Sequence, residues 1–86
     1  MKESIIQANL IKKLKAEGYY VIKLMHTNRN GIPDILALPK GCNAEFYEVK
    51  QKGKELAQLQ LFVAKEIIYG TYGKVFKHDG ETTKIE

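Results

Sequence analysis

Disulfide chemistry is closed to this chain, which has one cysteine, Cys42. A lone thiol beside Gly41 fits a reducing cytoplasm. Neither histidine lies near Cys42 in sequence, so no Cys–His nucleophile is indicated. Histidine is scarce as well: His26 and His78 are the only two. They stand far apart in sequence, which speaks against a paired-histidine zinc site. Arginine is nearly absent, Arg29 being the only one among 14 Lys and Arg. Lysine attracts phosphate diffusely and reads base edges poorly, so any polyanion would be recognised by backbone or shape. No apolar run approaches the roughly 20 residues that cross a bilayer. The first residues lack the long apolar stretch of a signal peptide. No membrane partner is expected, and neither repeats nor low-complexity linkers occur.

What is present is a basic chain of 86 residues with formal charge +4 and pI near 9.2. That balance leans toward nucleic acid. The length accommodates one domain, residues 1–86. Such a domain buries only about 60% of its unfolded surface, so its core is thin and a homodimer interface would help it. An apolar content of 44% with 28% charged residues is that of a folded protein.

Periodicity divides the chain. Ile6, Leu10 and Leu14 recur every fourth residue and predict a helix over Ser4–Glu17. Ser4 and Gln7 suggest a capping box, and Gly18 a stop. Tyr19–Met25 is rich in β-branched and aromatic residues and predicts a strand. A polar loop follows, and Pro33 then punctuates the entry to a second strand, Asp34–Leu38. The turn around Gly41 joins it to a third, Ala44–Lys50, as a hairpin. Glu55–Tyr69 predicts a second helix, with Leu56, Leu59, Phe62, Val63, Ile67 and Ala64 as its candidates for burial, and Gly70 ends it. Lys74–Lys77 and Thr82–Ile85 predict a fourth and a fifth strand. The fold class expected is α/β, in the order α-β-β-β-α-β(-β), with a mixed sheet flanked by helices.

Two fragments carry chemistry. Gly31-Ile32-Pro33-Asp34 opens the second strand, and Phe46-Tyr47-Glu48-Val49-Lys50 closes the third. Alternation puts Phe46, Glu48 and Lys50 on one face of the third strand and Tyr47 and Val49 on the other. Antiparallel pairing of the two strands would bring Asp34 against Glu48 and Lys50, although Asp34 and Glu48 lie 14 positions apart. Two carboxylates and a backbone carbonyl, that of Val49, suit a hard cation such as Mg²⁺ or Mn²⁺. Lys50 would offset charge growing on a phosphate. Glu3 falls on the apolar stripe of the first helix if that helix begins a turn early, and its carboxylate could then join the site. Otherwise it complements the helix dipole from solvent. Asn28 and Arg29 precede Asp34, and Lys52 and Lys54 follow Lys50. All four are candidates for contact with a DNA backbone. Gln60 on the second helix has a face that its period leaves ambiguous between surface and site, and Gln58 is a competing candidate. The tyrosines could stack on bases, but most are better explained as packing.

In this order, Gly31-Ile32-Pro33-Asp34, Tyr47-Glu48-Val49-Lys50 and a helix bearing Gln60 resemble the VRR-NUC branch of the PD-(D/E)xK nucleases. The resemblance runs from Glu3 to about Phe76. It implies a restriction-endonuclease-like core, a divalent metal, Mg²⁺ or Mn²⁺, and DNA cleavage. It further implies metal ligation by Asp34 and Glu48, catalysis by Lys50, and supporting roles for Glu3 and Gln60. Minimal stand-alone members of phages and bacteria are similar to this chain, and they imply a homodimer acting on branched DNA such as four-way junctions. The reading that follows is a structure-specific, metal-dependent endodeoxyribonuclease. Its rival is a DNA-binding module that keeps the fold without cleaving, and a third reading is a small interaction protein with a chance motif.

Overall fold

The structure, a computed structural model, describes residues 1–86. The chain runs α1 (Glu3–Ala16), β1 (Tyr20–Lys23), β2 (Ile35–Leu38), β3 (Glu45–Val49), α2 (Gln58–Gly70), β4 (Lys74–His78) and β5 (Thr82–Lys84). All five strands form one sheet in the order β1-β2-β3-β4-β5. The pairs β1/β2, β2/β3 and β4/β5 are antiparallel, whereas β3/β4 is parallel. The parallel step exists because α2 is the crossover between β3 and β4. A parallel neighbour requires such a connection, whereas the β2–β3 turn around Gly41 does not. The expected order and the mixed sheet are both found.

The layers follow from alternation. Ile6, Leu10 and Leu14 of α1 are buried against Ile35 and Ala37 of β2 and Tyr47 and Val49 of β3. Phe76 of β4 stacks on Tyr47 with ring centroids 5.1 Å apart, which extends this core toward the far strands. The residues of opposite parity point to the other face. There Val63 and Ala64 are the buried residues of α2, and the α2 side chain of Gln60 reaches Glu48. The two helices therefore cover opposite faces of one sheet.

Two sequence expectations need correction. The Ser4–Gln7 capping box does not form. The helix begins at Glu3, with Lys2 as N-cap and no side-chain cap. Ser4 is already helical, and the Lys2 carbonyl takes the Ile6 amide at 3.1 Å. At the other end Gly18 forms the expected stop: it has φ +94°, and the Tyr19 amide donates back to the Leu14 carbonyl at 3.0 Å. The second correction concerns α2. It starts at Gln58 rather than Glu55, and Leu59 and Phe62, expected inside, are 50% and 60% exposed. The helix covers the β3–β4 side only. On the same face of the sheet Tyr20, Ile22 and Leu38 are left exposed at 69%, 38% and 38%.

Candidate metal centre

The motif Gly31-Ile32-Pro33-Asp34 is a device for aiming one carboxylate. Gly31 has φ +82°, and a Cβ there would lie 2.8 Å from Leu59 Cγ. Only glycine lets the loop lie this close to α2 in this conformation. Pro33 is fully buried and fixes the backbone leading into Asp34. Asp34 ends just short of β2, where its amide donates to the Tyr47 carbonyl at 3.0 Å. Its side chain continues the ladder that its backbone leaves: the Val49 amide donates to Asp34 Oδ2 at 2.8 Å. A charge-assisted bond of this kind holds the carboxylate in one place.

Glu48 sits opposite Asp34, as the antiparallel register predicts: Ile35 pairs with Tyr47, so the next step outward pairs residue 34 with residue 48. Glu48 is 3% exposed. Its Oε1 accepts from Gln60 Nε2 at 2.9 Å, and Gln60 Oε1 accepts from the Ala57 amide at 2.9 Å. One amide side chain thus caps α2 and orients a carboxylate. Gln60, rather than Gln58, is the helix residue brought into the site.

The electrostatics are those of a site arranged for a cation. Burial, followed by the neighbouring Asp34 carboxylate, pushes the Glu48 carboxyl up to about 8. Burial also raises Asp34, while the Val49 amide works against the rise. Glu3 adds negative potential at both, although it stays exposed at the first position of α1. Lys50 favours the ionised form of both carboxylates without forming a direct ion pair with either. Glu48 Oε2 is buried and has no hydrogen-bond partner. An orphaned buried carboxylate oxygen beside a second carboxylate fits a hard divalent ion, which would supply the missing positive charge. No group of three or more His, Cys, Asp or Glu side chains gathers here or elsewhere. Asp34 and Glu48 are the two side chains that could hold such an ion, and the Val49 carbonyl is the backbone oxygen beside them.

Lys50 lies one residue beyond β3. Its amide donates to the His78 carbonyl at 3.0 Å, so the sheet still fixes its backbone. Lys77 is the register partner of Glu48 across the parallel β3/β4 pair. It adds a second ammonium to this face of the sheet. Sequence reasoning missed it because the signal lies in the parallel pairing and not in any local motif. Lys52 and Lys54 are exposed in the loop after Lys50. Asn28 is exposed before Asp34, but the Arg29 guanidinium is already engaged, with Glu66 Oε1 2.6 Å from Nη2. Contact between Arg29 and DNA would require exchange of that pair.

An α/β unit with a mixed five-stranded sheet, helices on both faces and a carboxylate pair at the end of its central hairpin defines a restriction-endonuclease-like fold. A solved structure described as a "VRR_NUC domain" is similar to this chain, with 30% identity and a TM-score of 0.71 over 85% of this chain and 81% of that one. The chain belongs to the VRR-NUC domain family, a nuclease family. No family model and no curated protein matches it.

Proposed function

We propose that the protein is a Mg²⁺- or Mn²⁺-dependent endodeoxyribonuclease that hydrolyses phosphodiesters of branched DNA, four-way junctions among them, as a homodimer. The observation that carries this reading is half-buried Asp34 opposite buried Glu48, whose Oε2 is orphaned, with Lys50 favouring the ionised form of both. A non-cleaving DNA-binding module has no use for two ionisable carboxyls where a phosphate must approach. Their mutual repulsion would weaken both the fold and the binding.

Asp34, Glu48 and the Val49 carbonyl would hold the ion, which supplies Lewis-acid polarisation of the phosphate and an acidified water. The chain's own residues do the rest. The Val49 amide and Gln60 fix the two carboxylates before substrate arrives, which lowers the reorganisation needed in the transition state. Lys50 places an ammonium where negative charge grows on the phosphate. Lys52 and Lys54 attract the flanking backbone, in keeping with the net charge of +4.

The homodimer is supported by surface left uncovered. Tyr20, Ile22 and Leu38 on the sheet and Phe62 on α2 give a second copy an apolar face to bury. Two copies related by a dyad also match a DNA junction of the same symmetry, with one cut on each of two strands. The test is one gel series with supercoiled, nicked, flapped and four-way DNA, each with Mg²⁺, Mn²⁺ or EDTA. Metal-dependent cutting with preference for four-way DNA is expected. Binding without cutting under every condition would favour the inactive module.

A further inference from the structure

The row of side chains that crosses the end of the sheet is longer than the carboxylate pair. Register partners share a face. Glu48 pairs with Lys77 of β4, and Lys77 pairs in turn with Thr83 of β5. With Asp34 opposite Glu48, the row reads Asp34, Glu48, Lys77, Thr83 across four strands. Neighbouring strands lie about 4.8 Å apart, so Lys77 stands roughly 5 Å and Thr83 roughly 10 Å from Glu48 along the row. Lys50 is on the same face but two residues along the chain from Glu48. The two lysines therefore depart from Glu48 in perpendicular directions, one along the strand and one across the sheet.

Lys77 carries an ammonium without a partner. A lysine directly across from a glutamate ordinarily pairs with it. Here it does not, since the one ion pair of the chain is Arg29–Glu66. Glu48 Oε1 accepts from Gln60 Nε2 instead, and Oε2 stays orphaned. Asp79, the next residue of the same parity, gives its Oδ1 to the Glu81 amide at 3.0 Å. The cover over this face also ends here. Val75, two residues before Lys77, is fully buried, whereas Lys77 is half-buried and Thr83 exposed. The stem of Lys77 lies on the sheet and its charged head is left to solvent. The fold thus keeps a carboxylate free for a cation and, one strand away, an ammonium free for an anion.

We infer that Lys77 binds the phosphate next to the one that is cut, so that the cleaved strand crosses the sheet from Glu48 over β4 toward the edge strand β5. This rests on the proposal that the protein cleaves DNA at Asp34 and Glu48, and it names the path of the strand through that site. Charge decides on which side of Glu48 the strand leaves. On the β2 side the row holds the Asp34 carboxylate, and Glu3 adds negative potential there. On the β4 side it holds an ammonium and then a hydroxyl, two groups that commonly contact phosphate oxygens. Lys77 places the strand and reads no base.

Binding of four-way DNA is measured by fluorescence anisotropy in EDTA, where nothing is cut. Each DNA of a set carries one uncharged methylphosphonate, stepped through the branch point one phosphate at a time. The proteins are the parent, Lys77→Met, Lys77→Arg and Lys12→Met, the last changed at an exposed position of α1. Lys77→Gln, which keeps a polar tip, is a second neutral variant. The cut is mapped separately on unmodified DNA with Mg²⁺. At the phosphate next to the cut, the methylphosphonate should weaken binding by the parent about ten-fold, the worth of one charged hydrogen bond. Lys77→Met and Lys77→Gln should lose about ten-fold on unmodified DNA and be insensitive to that methylphosphonate, the non-additivity of two groups in contact. Lys77→Arg and Lys12→Met should keep the sensitivity of the parent, which separates contact from overall charge. Equal sensitivity of the parent and the neutral Lys77 variants at every phosphate overturns the inference, and the nuclease reading stands if the parent cuts. Insensitivity confined to a phosphate several nucleotides from the cut overturns it as well. Insensitivity at one phosphate in a chain that cuts no DNA upholds the phosphate contact of Lys77 and overturns the nuclease reading. A parent that binds no DNA overturns both.

Discussion

Replacing Glu48 with Gln in the metal-free protein should stabilise the fold at alkaline pH and change little at acid pH. The reasoning starts from a carboxyl displaced upward from 4.5 to about 8 by burial and by Asp34. A carboxyl that is harder to ionise folded than unfolded contributes stability below its unfolded value, and that contribution disappears as pH climbs through the folded value. The window is therefore pH 4.5 to about 8. At about 1.4 kcal/mol per pH unit the full displacement would be worth roughly 5 kcal/mol. Titration shared with Asp34 and entry of water reduce that to about 2–3 kcal/mol. Glutamine retains the acceptor for Gln60 Nε2 and removes the charge. The assay is urea unfolding in EDTA at pH 5, 7 and 9 for the parent and Glu48→Gln. The difference between the two proteins cancels other titrations, including that of His78, which burial pushes down. The variant should overtake the parent as pH rises, by about 2–3 kcal/mol at pH 9. A variant that is less stable than the parent at pH 9 would refute the view that Glu48 is held as a frustrated anion. Millimolar Mn²⁺ should then erase the difference by stabilising the parent alone.

Further outcomes follow from the same contacts. Mn²⁺ affinity measured by calorimetry should weaken about ten-fold per pH unit below pH 8, with release of close to one proton, because the ion replaces the proton on Glu48. A pH-independent affinity would place the ion elsewhere. Gln60→Ala should cost about 2 kcal/mol in urea unfolding, from the lost cap at Ala57 and from an unpaired buried oxygen on Glu48. It should also slow cleavage more than it weakens DNA binding, and a variant with full activity would remove Gln60 from the site. Gly31→Ala should cost about 2–3 kcal/mol, from the positive φ and the overlap with Leu59. For a domain of this size that is a fall in Tm on the order of 10 °C, and a fall below 2 °C would show that the loop is free to move away from α2.

The element order was legible because each element carries its own period. The four-residue spacing of Ile6, Leu10 and Leu14 and the alternation across Phe46–Lys50 need no partner to be read. Asp34 and Glu48 were legible as a pair because a short turn forces an antiparallel hairpin, and a hairpin converts sequence distance into contact. Side-chain partners far apart in sequence were not legible. Arg29 and Glu66 are 37 positions apart and joined only by folding. The Val49 amide that anchors Asp34 is a backbone group, and backbone groups have no letter in the sequence. The exposure of Leu59 and Phe62 was hidden for another reason. A helix of 13 residues cannot cover five strands, and its apolar stripe does not state which side of it will find the sheet. The place of Lys77 beside Glu48 depends on the parallel β3/β4 register, which no local pattern encodes.

The most direct test of the account is single-turnover cleavage of a labelled four-way DNA by the parent, Asp34→Asn and Lys50→Ala, each with Mg²⁺ and at matched DNA occupancy. The account predicts metal-dependent cutting by the parent. It predicts a loss of at least about 10²-fold in rate for each variant, the scale of removing one preorganised charge, with DNA affinity changed by only a few-fold. Cutting at the parental rate by both variants would contradict it, because the hydrolysis would then be done by groups other than the carboxylate pair and its neighbouring ammonium.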